Sequence, residues 1–339
     1  MATSTPVPSL LKPETRLERS GRTAAAVSRT VRTATPLLAL LTLITSLGAA
    51  CARPGAVAQS GSSADRAPLD TASARGGRLY DNWAAEKRLG ATFVPDNAKT
   101  PELDGKGGPN GNGTLNDRNG QALPNRGHDY RLKNLFGWDL RGADGIYGAA
   151  YQAKPYVLPT NLLLSTRSQA ELSAWLKQGD VNVPAYGSVL DDAELESLAG
   201  FIVAVRDRKL PHPDDFFRLS ARAPKNYELM AGGDSELGKS YYGDRCAGCH
   251  GPSGVKVTID DTESVGSLGR SSAYEVWLKL LNGHPGSKMG PQVHAGDGRD
   301  QARTILNLLG ALCDRSAFPP LDPKHDAPAA DARCAAYGG

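Results

Sequence analysis

Five consecutive residues, Cys246-Ala247-Gly248-Cys249-His250, bring together two thiols and an imidazole. They spell C-x-x-C-H, the c-type haem attachment sequence. Its spacing has a chemical reason. The two thiols add across the vinyl groups of the porphyrin, and the adjoining imidazole then lies under the iron as proximal ligand. A thioredoxin-like redox pair would follow a strand in a βαβ context, which this stretch lacks. Zinc would need a second ligand pair at matching spacing, and Cys313 and Cys334 do not supply one. Cys246 and Cys249 are therefore expected to hold one haem covalently, with His250 on its iron.

Three cysteines remain: Cys51, Cys313 and Cys334. The first ends a leader, residues 1–51. Lys12, Arg16, Arg19, Arg22, Arg29 and Arg32 precede the charge-free run Pro36 to Ala50, PLLALLTLITSLGAA. That run is short for a membrane span and fits the apolar region of an export signal. Small residues before Cys51 suit lipidation there. AVA at 56–58 suits ordinary cleavage before Gln59, and the tether 52–73 reads as flexible in either case. The expected location is the periplasm or the outer face of a membrane. Disulfides persist outside the cytoplasm, so Cys313 and Cys334 are expected to pair and clip the tail 315–339 to the last helix. A loop of that length contributes ~3 kcal/mol in the chain-entropy model. Cys51 is then the odd cysteine, as a lipidated one would be. The net charge of +3 belongs to the leader: beyond residue 51, 33 basic residues face 34 acidic ones, a net of −1. This balance gives no support to nucleic acid or an anionic membrane surface as partner. Membrane contact is expected only through a lipid anchor or a partner. Mean hydropathy of −0.37 suits a soluble chain.

The elements that must position this chemistry read as helices, and the length suggests about two domains of ~150 residues. DSELGKSYYGDR is a helix capped by Asp234 or Ser235. SAYEVWLKLLNG is a helix with a capping box from Ser272 to Glu275. DQARTILNLLGAL puts Ala302, Ile305, Leu309 and Leu312 at helical spacing. GPSGVKVTIDDTESVGSLGR and HPGSKMGPQVHAGDG read as loops between them. Three helices over 233–314, with C-x-x-C-H after the first, resemble a small His/Met cytochrome c. The resemblance implies a methionine as second iron ligand in the loop before the last helix. Met289 stands there, although the family's Met-Pro is Met289-Gly290-Pro291 here. His284 and His294 flank it and are the alternative ligands. Tyr274, Trp277, Leu280 and Leu281 would wall the haem or serve as plain core.

Residues 74–207 repeat this layout without its chemistry. ARGGRLYDNWAAEKRLG opens as a helix, and a Gly/Asn-rich insert follows over 95–130. Its carboxylates are too few, and out of order, for an EF-hand calcium loop. SQAELSAWLKQG carries a capping box from Ser168 to Glu171. DDAELESLAGFIVAVRD is capped by Asp191 and aligns Leu195, Leu198, Ile202 and Val205. RLKNLFG at 131–137 shares the frame R-x-x-x-x-x-G with RCAGCHG at 245–251. Leu132, Leu135 and Phe136 stand where the second stretch has Cys246, Cys249 and His250, and Val183 stands at the methionine position. FGWDLRGADG resembles the segment after the attachment motif in a group of exported bacterial c-type cytochromes, and RGGRLYDNW is similar to that group's opening helix. The resemblance implies a cytochrome c fold that no longer binds haem. A hole of roughly several hundred Å³ would cost on the order of 10 kcal/mol, so it must be refilled. This segment holds twelve of the 21 aromatics, against four in 233–314, which is bulk of the right kind. The linker 208–232 reads as ordered, with Phe216 and Phe217 packed on a domain surface.

The expected fold class is all-α, two cytochrome c-like helical domains in tandem. The expected function is electron transfer by one haem c, rather than catalysis. The haemless domain would dock or scaffold redox protein partners, or a larger membrane redox complex. A c-haem enzyme subunit and a haem-based sensor are the rivals. Peroxidase-like dihaem enzymes need a second haem, and a sensor needs an open or labile sixth position on the iron.

Overall fold

The computed structural model describes residues 71–87, 114–117, 119–125, 128–148, 154–259, 262–293 and 298–338. The leader, Cys51, the tether up to residue 70, much of the insert and His294 lie outside them. The described residues are mostly helical, and none of their helices is long and apolar enough to cross a membrane.

The first half opens with α1 (Ala72–Glu86), capped by Thr71. The helix bends at Asn82, whose backbone is extended and whose side-chain oxygen caps the next turn by accepting from Ala85 N at 3.0 Å. A short hairpin, β1 (Thr114–Asn116) and β2 (Ala122–Pro124), pairs Leu115 with Leu123. It leads to α2 (Leu132–Phe136), α3 (Gln169–Gln178) and α4 (Asp192–Arg206). Both expected caps form: Ser168 with Glu171, and Asp191, which makes a full capping box with Glu194. Leu195, Leu198, Ile202 and Val205 are buried, as their spacing requires.

The linker holds a second hairpin, β3 (Phe217–Leu219) and β4 (Tyr227–Leu229). Phe216 and Phe217 are buried: Phe216 lies 5.6 Å from Trp277, and Phe217 stands edge-on to Tyr227 at 5.4 Å. Strands of three residues are too short for an alternating pattern to reveal.

The second half contains α5 (Ser235–Arg245), α6 (Ala247–His250), α7 (Val265–Ser271), α8 (Ala273–Asn282) and α9 (Gly298–Leu312). Asp234 is the cap of α5. Two expectations fail here. The loop after the attachment motif contains α7, capped by Ser264, whose glycines permit close packing: a Cβ on Gly269 would meet Leu312 Cβ at 2.7 Å. The capping box from Ser272 to Glu275 does not form. α7 runs into Ser272, whose N–H donates to Leu268 O at 2.7 Å, and the Ser272 hydroxyl accepts from Lys225 Nζ at 2.6 Å. Ala273 N–H donates instead to Tyr227 OH at 3.0 Å, so the linker satisfies the start of α8. In the tail, the Cys313 and Cys334 sulfurs lie 1.99 Å apart and both residues are buried.

In the core α1 packs on α4, and α5 on α9. α1 also packs on α8 within one compact unit, Gly61–Gly339. Between the halves, buried Asp81 pairs with both Lys133 and Lys279, and Lys133 Nζ sits 3.6 Å from the Trp138 ring centroid.

Candidate functional site

C-x-x-C-H occupies the turn that ends α5 and the whole of α6. Cys246 N–H donates to Tyr242 O at 2.8 Å, and His250 N–H donates to Cys246 O at 2.9 Å. This helical path places the thiols and imidazole on successive turns. Gly251 (φ 80°, ψ 162°) ends the helix in a conformation that favours glycine. Both thiols are free; Cys246 is buried and Cys249 is exposed. Burial pushes the Cys246 thiol up to about 11. Burial also lowers the His250 pKa, which favours the neutral imidazole, the form with a lone pair to donate. Its Nδ1 is buried without a hydrogen-bond partner. On α8, Trp277 Nε1 is likewise buried without one. A Cβ on Gly248, between the two cysteines, would meet nothing within 4 Å.

The Met289 loop is tied to the same end of α5: Tyr241 OH donates to Gln292 O at 2.7 Å. Met289 is half-buried and its neighbour Gly290 faces open space. His284 is exposed, with its Nδ1 3.0 Å from Pro285 O. Of the expected haem wall, Leu280 and Leu281 are buried. Trp277 packs on Phe216, whereas Tyr274 turns toward the first half, 5.8 Å from Trp138. Among the described residues no three His, Cys, Asp or Glu side chains gather as a metal cage. The donor set, two free thiols with a neighbouring imidazole whose Nδ1 is buried without a partner and a thioether on an adjacent loop, fits a covalently attached haem.

The first half repeats these contacts with other side chains. Gly137, after α2, has φ 78° and ψ 158°, close to the values at Gly251. Tyr80 OH donates to Gly137 O at 2.5 Å, and Tyr242 OH donates to Gly251 O at 3.0 Å. Four residues before each tyrosine a glycine meets the last long helix. A Cβ on Gly76 would come within 2.0 Å of Ser197 O, and one on Gly238 within 2.1 Å of Asn307 O. After α3, Asp180 N–H donates to Val183 O at 2.9 Å; after α8, His284 N–H donates to Met289 O at 2.7 Å. Phe136 thus directly precedes Gly137 as His250 precedes Gly251, and the Val183 carbonyl closes its loop as that of Met289 does. Leu132, Leu135, Phe136 and Val183 are all buried, and Phe136 lies 6.1 Å from Trp175. The shared G-x-x-x-Y of Gly76–Tyr80 and Gly238–Tyr242 was the readable signal for this repeat.

No protein-family model, no curated protein and no solved structure matches the chain.

Proposed function

We propose that this chain is an exported electron-transfer protein with one covalent haem c on Cys246 and Cys249. His250 and Met289 are its iron ligands. Residues 74–207 form a second cytochrome c-like domain that has lost its haem and serves as docking surface or scaffold for redox partners. When bound, the haem would supply a one-electron iron couple. A thioether opposite an imidazole raises the potential of that couple and suits outer-sphere transfer. The chain anchors the group through two thiols, offers it a neutral imidazole, and closes a loop bearing Met289 over the same end of α5.

The observation that carries the reading is the turn from Cys246 through α6, where two free thiols and an imidazole with a buried, unpartnered Nδ1 follow one another on a single helical path. The tandem reading is supported by the repeated glycine, tyrosine and loop contacts. Export and lipidation at Cys51 remain part of the proposal from the leader's order of basic, apolar and small residues.

A pyridine haemochrome assay tests it. One haem per chain is expected; two would overturn the haemless domain, and none would overturn the c-type reading. Carbon monoxide separates the rivals: a reduced wild-type protein that binds it readily would favour a sensor or enzyme over a carrier.

A further inference from the structure

The loop that carries Met289 rests on a floor supplied by the other half of the chain. It leaves α8 at Gly283 (φ +87°) and closes on itself. His284 N–H donates to Met289 O at 2.7 Å. The Ser287 hydroxyl accepts from Met289 N–H at 3.0 Å and donates to His284 O at 3.0 Å. A closed turn moves as a piece, so whatever fixes its base fixes Met289.

That base is held by α1. The Asn282 carbonyl is one of the acceptors left over at a helix C-terminus. It accepts from Arg78 Nη1 at 2.9 Å, across 204 residues of sequence. A guanidinium there also opposes the negative end of the helix dipole. Arg78 is itself held by Glu86 at 2.9 Å. Gly77 allows the close approach, since a Cβ there would fall 2.1 Å from the Asn282 side chain. One turn back on α8, Lys279 pairs with Asp81. The loop then touches α1 again: a Cβ on Gly286 (φ +69°) would meet Ala85 O at 2.6 Å. This second contact falls beyond the bend of α1 at Asn82. In the first half Gln178, at the station of Asn282, is exposed.

We infer that α1 of the haemless half positions Met289, with Arg78 as the principal positioning residue. The inference rests on Met289 being the iron ligand. It gives the first half a task beyond docking. A thioether is a neutral, weak ligand, so the strength of its bond depends on how firmly its loop is held. Loosening the base would leave the iron more often open to outside ligands.

The test uses the full-length haem-loaded protein with Arg78→Ala and Arg78→Lys. Arg78→Ala should weaken the methionine-to-ferric-iron charge-transfer band and lower the potential. It should also raise the carbon monoxide affinity of the reduced protein by about tenfold, the scale of one lost charge-assisted hydrogen bond. Arg78→Lys, which keeps a cation and a donor, should recover part of each. A folded Arg78→Ala protein that melts earlier but keeps band, potential and affinity would overturn the inference, leaving Arg78 a purely structural residue. If Arg78→Ala does not accumulate, Gly77→Ala keeps α1 helical and displaces Asn282; unchanged haem properties there would overturn it equally. A wild type that binds carbon monoxide as readily as Met289→Ala would instead remove Met289 as ligand, and with it the underlying reading.

Discussion

At the scale of single residues, the proposed function makes opposite demands on Phe136 and Met289. Phe136 is fully buried against Trp175, and under the proposed function it stands where the second half has its iron-binding histidine. Truncation to Ala should destabilise the first half by about 3–5 kcal/mol, the usual cost for a buried Phe. The native haem spectrum should not move, since Phe136 lies outside the ligand set. A neutral denaturation curve would mean that the side chain fills nothing. Met289→Ala should lower the haem potential and open the iron to carbon monoxide, read by redox titration and by gas binding. Asp139 offers a third test. Burial pushes its carboxyl from 3.8 up to about 6, although Oδ2 accepts from Ile146 N–H at 2.9 Å. The folded chain therefore keeps a proton that the unfolded chain has shed. The stability this confers is complete below about pH 4 and is lost as pH rises through about 6, on the order of 2–3 kcal/mol. Asp139→Asn cannot titrate and should flatten that part of the stability profile in urea titrations from pH 4 to 7; an unchanged slope would assign the dependence to other groups.

At the scale of elements, the two helix crossings depend on missing side chains. Gly238 on α5 lies against Asn307 O on α9 with no room for a Cβ. Gly238→Ala should therefore cost about 1–3 kcal/mol by overpacking, despite the better helix propensity of Ala. Gly243, on the same helix, meets nothing within 4 Å of an added Cβ. There the same substitution should stabilise by about 0.5–1 kcal/mol. Opposite shifts in the melting temperature of the pair would locate the effect in the crossing, and equal shifts would deny it. The sequence made legible what is local. Ser168 and Asp191 were readable as caps because their partners lie three residues away. Ser272 shows the same local pattern, yet Lys225 and Tyr227 satisfy the start of α8 from the linker. α7 is not legible locally, because its glycines weaken helix propensity while serving close packing against Phe318 and Leu312. In the site, C-x-x-C-H was plain, but Arg78 and Asp81 read as an ordinary polar face of α1. Nothing local shows that their partners stand on α8.

At the scale of the whole molecule, Asp81 is one of the residues that tie the two halves together. Its side chain is 3% exposed and lies between Lys133 of α2 and Lys279 of α8. Burial alone would raise its pKa, but the two ammonium groups outweigh that and hold the carboxylate below its usual range. Lys133 pays the other side of the arrangement: burial brings it down to about 8, with Asp81 opposing the change. Each buried ion costs several kcal/mol to dehydrate, so the cluster is favourable only while complete. Asp81→Asn leaves a buried and a partly buried cation facing one another across the boundary between halves. It should cost about 3–5 kcal/mol, the range for breaking a buried pair. It should also change the form of unfolding. In the wild type, far-UV ellipticity and the haem band should fall in one coincident thermal transition, because α1 is shared between the α4 and α8 packings. In Asp81→Asn the two signals should separate, each half then melting on its own contacts. Replacing Asp81, Lys133 and Lys279 together by apolar residues of similar volume should bring the two signals back toward coincidence, with Glu275, which both lysines face, left to Lys225. Separate transitions already present in the wild type, or a neutral Asp81→Asn, would show that the halves are joined without depending on this cluster.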